Sequence, residues 1–371
     1  MKKTVLTIVQ ILVTVGILFW VFHDHTKRAQ MWEALSHAKP AWLLAGFAFY
    51  GVVELLAAGR WYILLRVQGI KLAAWRVGAL LMLGIFFNMF MPGGTGGDVL
   101  KIFFLLKEIP KKKAEGLLAV LMDRLIGLMA LIMISSVIIA IQYNWLRTAP
   151  VARNLTWVLL AILVAGLGGI IFSFVISGFG LAHKLPKKMP MRDKLIDLAV
   201  AYNAYARAWP ASLAALVASF GVHMASFSLF VCAARALNVP ISTGAILTVM
   251  PIILTLAAMP ISVGGTGVRE GLFAALLVPL CGISQSLAVT LSLTGFMLSA
   301  AWGVVGGVIY LLYRPSDHTK IREVERQVHE LEHEIAEEEE SAEEHENKTG
   351  FRYEDKTRNK GESPDDDEKE G

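Results

Sequence analysis

Met91-Pro92-Gly93-Gly94-Thr95-Gly96-Gly97-Asp98 interrupts one long apolar stretch of the chain, and Met259-Pro260 leads into Gly264-Gly265-Thr266-Gly267-Val268-Arg269-Glu270 in another. A helix in lipid hydrogen-bonds its own backbone, so clustered Gly and Pro at membrane depth release N–H and C=O groups. Such groups survive there only when protein buries them or a wet cavity solvates them. Two breaks at matching places in the two halves of a chain point to a binding site built from discontinuous helices.

Composition narrows the class. The 371 residues are 55% hydrophobic, with mean hydropathy +0.55, which excludes an ordinary soluble globular protein. Net charge is +4, yet most of the 31 Asp and Glu lie after Tyr313. The membrane part is therefore strongly basic and the tail acidic. Basic residues beside a bilayer suit anionic headgroups, although the positive-inside bias of any inner-membrane protein gives the same excess. Cys232 and Cys281 are the only cysteines. Both sit in apolar segments and read as small hydrophobes, with a bond between them as the alternative. Lys2-Lys3 ahead of Thr4 to Phe22 resembles a signal peptide. That apolar run is too long and lacks a small-x-small cleavage site, so it reads as an uncleaved first span.

Six segments have spanning length: 4–22, 41–65, 114–142, 155–177, 211–234 and 287–313. The broken segments, 76–107 and 243–281, read as hairpins that enter and return on one side. In the first, only Val99 to Leu106 separates Asp98 from Lys107, an arm that at 1.5 Å per residue reaches roughly halfway across the hydrocarbon. With the N-terminus inside, this choice puts Arg66, Lys71, Arg76, Lys107, Lys111-Lys112-Lys113, Lys184, Lys187, Lys188, Arg192, Lys194 and Arg314 on the cytoplasmic side. One hairpin then enters from each face, and the order span, span, hairpin, span occurs twice in opposite orientation.

The expected fold is an all-α polytopic membrane protein, six transmembrane helices plus two re-entrant helical hairpins in an inverted repeat. Residues 1–143 form the first repeat and 144–314 the second. Ile241 to Pro260 is long enough to cross fully, which leaves the second hairpin open to that reading. Residues 184–209 suit a helix on the inner membrane surface. Residues 315–371 form an acidic cytoplasmic tail: a short amphipathic or coiled-coil helix, then a segment too polar to fold. Its stretch 319–336 offers a docking surface for a protein partner or a second copy.

The breaks and the charges around them supply the candidate site. Glycine lets successive N–H groups converge on an anion, and the positive ends of two half-helices would favour phosphate. Gly94, Thr95, Gly96, Gly265, Thr266 and Gly267 are the backbone candidates, with Asp98 capping one half-helix and Thr266 or Gly267 the other. Tight glycine packing alone is the structural alternative. Glu54 and Arg60 fall in the second span, and Asp123-Arg124 lie about 15 Å of helix beyond Lys113. A charge at the bilayer centre costs about 2.5–3.5 kcal/mol, so each must face protein interior or water. In the functional reading Arg60, Lys101, Arg124 and Arg269 meet a lipid phosphate, while Glu54, Asp98, Asp123 and Glu270 pair with those cations or carry protons. Ion pairs that only join helices are the alternative. His223 is either a proton relay or a ring satisfied by a neighbouring carbonyl.

His329-Glu330-Leu331-Glu332-His333 matches the spacing of zinc proteases. It lies in the acidic tail, without a domain to supply a third ligand, and reads as chance. No metal and no cofactor is expected. There is no G-x-x-x-x-G-K-[ST] for nucleotide-driven pumping, and no nucleic-acid partner is expected.

Arg60-Trp61, Asn88 with Met91 to Asp98, Asp123-Arg124 with Gly127, and Pro260 through Gly264 to Glu270 occur here in one order. In that order they resemble the membrane domain of lysylphosphatidylglycerol synthases and their stand-alone flippase-like relatives, over roughly residues 1–314. The resemblance implies a multi-pass protein of a bacterial or archaeal cell membrane that moves a phospholipid or polyprenyl lipid between leaflets. Two-domain relatives also carry a cytoplasmic aminoacyl-transferring domain. This chain has the acidic tail instead, so it is not expected to be an enzyme of that kind. The reading is a flippase for an anionic phospholipid or a polyprenyl-phosphate lipid. The alternatives are an intramembrane enzyme or accessory subunit acting on a lipid-linked substrate, and a structural protein docking through its tail.

Overall fold

Pro40 opens the first long helix, at a position where its missing N–H is no loss. From there apolar residues surround the helix on every side, as a segment flanked by lipid and protein requires. The computed structural model describes residues 25–90, 96–178, 204–257 and 267–312. They form α1 (His25–Ser36), α2 (Pro40–Val67), α3 (Ala74–Phe90), α4 (Gly96–Glu108), α5 (Lys113–Leu146), α6 (Pro150–Gly178), α7 (Trp209–Ala236), α8 (Thr243–Ala257), α9 (Val268–Cys281) and α10 (Gln285–Leu312). Among the described residues there is no strand, as expected of an all-α chain.

Four of these helices, α2, α5, α7 and α10, are long and apolar enough to cross a membrane. They coincide with the expected spans 41–65, 114–142, 211–234 and 287–313. Shorter apolar stretches occur at Ala74–Asn88, Pro150–Ala165 and Thr243–Ala257. The expected first span, the tail with its partner stretch and its His-Glu pattern, and residues 184–203 of the surface helix all lie outside the described residues. Tyr205 lies just before α7, and its hydroxyl donates to Leu64 O of α2 at 3.2 Å.

The broken segments are helix pairs. The 17 residues of α3 and the 13 of α4 measure about 25 and 20 Å, less than the roughly 30 Å of hydrocarbon. Arg76 near the start of α3 bonds Glu108 at the end of α4, so the pair leaves and returns at one end. Lys112, just before α5, donates to Gly69 O beyond α2 at the same end, at 3.0 Å. The second pair opens at the other end of α5. Residues at the start of α8 (Gly244, Ala245) and the end of α9 (Leu280, Cys281) line one cavity together with Gln142 and Trp145, near the end of α5.

Small residues let these helices close up. A Cβ on Gly97 would stand 2.0 Å from Gly84 O, so α3 and α4 meet backbone to backbone. On α10, a Cβ at Gly306 would lie 2.4 Å from Met82 O of α3. Without a hydrophobic drive between helices in lipid, such close contact carries the association. Polar side chains add to it: Trp302 Nε1 of α10 donates to Phe47 O of α2 at 2.8 Å, and Ser135 Oγ of α5 lies 3.4 Å from Thr255 Oγ1 of α8. Cys232 is buried and both cysteines are free, which settles them as small side chains rather than a disulfide.

Candidate functional site

Buried charge in an apolar bundle must be matched, because an unpaired ion would lose its hydration without replacement. The fold does this at two places. At the first, Arg60 of α2 donates from Nε to Asp123 Oδ1 of α5 at 2.7 Å and from Nη1 to Ser219 Oγ of α7 at 3.0 Å. Lys101 Nζ of α4 stands 4.0 Å from Asp123 Oδ2 and 3.8 Å from the centre of the Trp61 ring. One carboxylate thus faces two cations carried by two other helices. Gly127 makes room for Arg60, since a Cβ there would come within 3.1 Å of Arg60 Nη1. The Gly127 carbonyl lies 3.0 Å from His223 Nε2 of α7. His223 is therefore the carbonyl-satisfied ring of the two alternatives. Trp61 is fully buried, and its Nε1 finds no hydrogen-bond partner among the described residues.

The second place is the start of α9. Gly267 has φ 85°, a left-handed conformation that glycine adopts without strain and that turns the chain into the helix. Its N–H donates to Glu270 Oε2 at 2.5 Å. The other oxygen, Oε1, accepts from Arg269 Nη2 at 2.8 Å and from Ser292 Oγ of α10 at 3.0 Å. Glu270 is fully buried, and the Arg269 guanidinium also lies 4.7 Å over the Phe296 ring. The first break has a parallel arrangement, in which the Gly97 N–H donates to Asn88 Oδ1 at 3.0 Å. At both breaks a side-chain oxygen holds an amide that a free helix end would offer to an anion.

Glu54, six residues before Arg60 on α2, is also buried. The Tyr50 hydroxyl lies against the Glu54 carboxylate, one helical turn away. Lys101 and Arg60 act on Glu54 electrostatically, and Arg269 acts on Tyr50.

The sequence candidates thus divide as follows. Arg60, Lys101 and Asp123 come together, Gly267, Arg269 and Glu270 come together, and Glu54 is buried on α2 beside Tyr50. Arg124 follows Asp123 on α5 but lies on an exposed face. Gly96 begins α4, so that helix starts ahead of Asp98 rather than at it, and Gly267 is the N-cap of α9. Gly94, Thr95, Gly265 and Thr266, together with the Asp98 side chain, lie outside the described residues. Ser219, Ser292 and Tyr50 were missed in the sequence. Their only signal is a hydroxyl in an otherwise apolar helix, and many such hydroxyls bond only the carbonyl four residues back, as Thr156 and Thr290 do. Among the described residues no group of His, Cys, Asp or Glu could hold a metal ion.

A helical membrane protein with paired charges inside its bundle is the class these features define. Residues 7–307 match the lysylphosphatidylglycerol synthase TM region, and the chain belongs to that family. It is a membrane-embedded protein related to lipid handling. No curated protein matches the chain.

Proposed function

We propose that the protein is a flippase, moving an anionic phospholipid or a polyprenyl-phosphate lipid between leaflets without nucleotide hydrolysis. The observation that carries this reading is the pair of buried charge clusters, each beside a broken helix pair. The short helices are read as two re-entrant hairpins among six spans, in an inverted repeat with both termini cytoplasmic. The opposite ends at which the pairs open support that arrangement, and alternating access would follow from rocking one repeat against the other.

Phosphate binding is an exchange in this proposal. Arg60 and Lys101 are held by Asp123, and Arg269 by Glu270. A headgroup phosphate entering the bundle would take over part of those bonds, and the carboxylates would recover them when it leaves. Matched charge at the empty site lowers the barrier to crossing and keeps the lipid from binding too tightly. The Gly97 and Gly267 amides, now bonded to Asn88 and Glu270, are further donors for the same exchange.

The test is leaflet exchange of labelled lipids in reconstituted vesicles. The native chain is compared with Lys101→Ala, Arg124→Ala and Arg269→Ala, each checked for native unfolding temperature. Faster exchange than in protein-free vesicles, with a severalfold loss in Lys101→Ala and Arg269→Ala, is expected. Equal rates in all the chains would refute the headgroup site, and a native rate equal to that of empty vesicles would refute transport.

A further inference from the structure

A groove of about 750 Å³ opens on the side of the bundle between α2, α3 and α10. Val52, Leu55, Met82, Trp302 and Ile309 line it, and Glu54 is the one charged group among its described lining residues. Two of its three walls, α2 and α10, are helices of spanning length. The medium at this depth is therefore hydrocarbon. Leu55 is 72% exposed, so the groove faces that medium sideways rather than leading into water. The Trp302 N–H is already bonded to Phe47 O, leaving its ring as an apolar wall. The volume falls within the roughly 300–1,000 Å³ typical of ligand sites.

Glu54 is out of place in such a wall unless something meets it. Tyr50 provides one neighbour, and Lys101 and Arg60 act on it electrostatically. Glu54 is buried, and its carboxyl group has acceptor positions beyond those its protein neighbours fill, so a further donor at membrane depth would stabilise it. Carboxyl oxygens repel a bare phosphate and accept from an O–H or N–H. A ligand complementary to this place has a hydrocarbon chain, a donor at the base of that chain's headgroup, and a phosphate that can reach inward to the cations.

We propose that the groove between α2, α3 and α10 holds one acyl chain of a membrane phospholipid, with a hydroxyl or ammonium donor of its headgroup on Glu54. The proposal deepens the flippase reading, on which it rests for the choice of a lipid as ligand. It adds a selectivity that the cations alone would not give: phospholipids whose headgroups have donors are held, and phosphatidylcholine, which has none, is not.

The test measures binding rather than transport. The full chain is placed in phosphatidylcholine bilayers containing a small fraction of phosphatidylethanolamine, phosphatidylglycerol or phosphatidylcholine with a photoreactive acyl chain. Labelled peptides are then mapped. Label on α2 around Val52 and Leu55 is expected to be about tenfold higher with a donor-bearing lipid than with phosphatidylcholine, a difference of roughly 1.4 kcal/mol. Glu54→Leu should reduce that ratio to one. Ala58→Trp, which fills the groove, should lower labelling by all three lipids. Labelling by phosphatidylethanolamine alone assigns the donor as ammonium, and by phosphatidylglycerol alone as hydroxyl; either supports the site. Equal labelling by phosphatidylcholine overturns the role of Glu54. Label spread evenly over the exposed faces of α5 and α7, at Val137, Ile141 and Val217, overturns the groove. If labelling is as expected but no lipid crosses the bilayer, the groove stands and the transport reading falls.

Discussion

The Asp123 carboxylate of α5 accepts the Arg60 Nε of α2 at 2.7 Å, joining residues 63 apart in the chain. Side-chain exposure is 10% for Arg60 and 6% for Asp123, so neither ion has bulk water to fall back on. Removing one partner of such a pair leaves a buried charge without compensation. Asp123→Ala is accordingly expected to destabilise the protein by about 3–5 kcal/mol, because Lys101 loses the same partner. Arg60→Met combined with Asp123→Leu should recover part of that loss. Thermal unfolding in detergent micelles checks both, and a double variant as unstable as the single one would contradict the pairing argument.

The contact of α3 with α4 gives a steric prediction. A methyl group at Gly97 would overlap Gly84 O and crowd Asn88, so Gly97→Ala should cost at least about 1–3 kcal/mol as the pair is forced apart. Gly59 provides the control: nothing lies within 4 Å of a Cβ there. Gly59→Ala should raise stability by about 0.5–1 kcal/mol through chain entropy alone. The same unfolding measurement orders the three chains.

Glu270 makes bonds to Gly267, Arg269 and Ser292, and the charge matters more than any one of them. Glu270→Gln keeps an acceptor but leaves Arg269 unneutralised, and should cost about 1.5–3 kcal/mol. Ser292→Ala removes one hydroxyl and should cost about 1 kcal/mol. A larger effect from Ser292→Ala than from Glu270→Gln would mean that the hydrogen bonds, not the charge, hold the start of α9.

His223 donates from Nε2 to the Gly127 carbonyl inside α5, which has its own helical bond. His223→Leu should therefore change stability by less than about 1.5 kcal/mol. If leaflet exchange is observed, its pH dependence should be the same in this variant as in the native chain. A pH profile that shifts with His223→Leu would restore the proton-relay role.

The two thiols should react separately. Cys232 is 3% exposed against the α2–α7 interface, whereas Cys281 is partly exposed at the end of α9. Maleimide should add once to the protein in micelles and twice after denaturation, without reductant, as read by intact mass. A single adduct after denaturation would show that the thiols are not both free.

Length, apolar composition and the positions of Gly and Pro were enough to find the described helices from α2 onward, because each depends on groups close together in the chain, whereas the polar α1 (His25–Ser36) lies in what reads as a loop between spans. A run of apolar residues around Val53 or Leu229 makes a spanning helix whatever it packs against, and the Pro and Gly that follow Phe90 in the sequence end α3 for the same local reason. Charge at membrane depth could also be read directly: its cost alone required Arg60, Lys101, Asp123, Arg269 and Glu270 to find partners. Which partner each would find was decided only by the packing of distant helices. Asp123 meets Arg60 and Lys101 because α2, α4 and α5 converge where Gly127 leaves space, while neighbouring Arg124, about 100° further round the helix, faces outward. Glu270 closes on the amide of Gly267 three residues before it, and Ser292 joins it only because α10 lies alongside. Residue type determined that these groups need one another in a medium without water, and tertiary geometry determined which of them lie within the few ångströms over which a hydrogen bond acts.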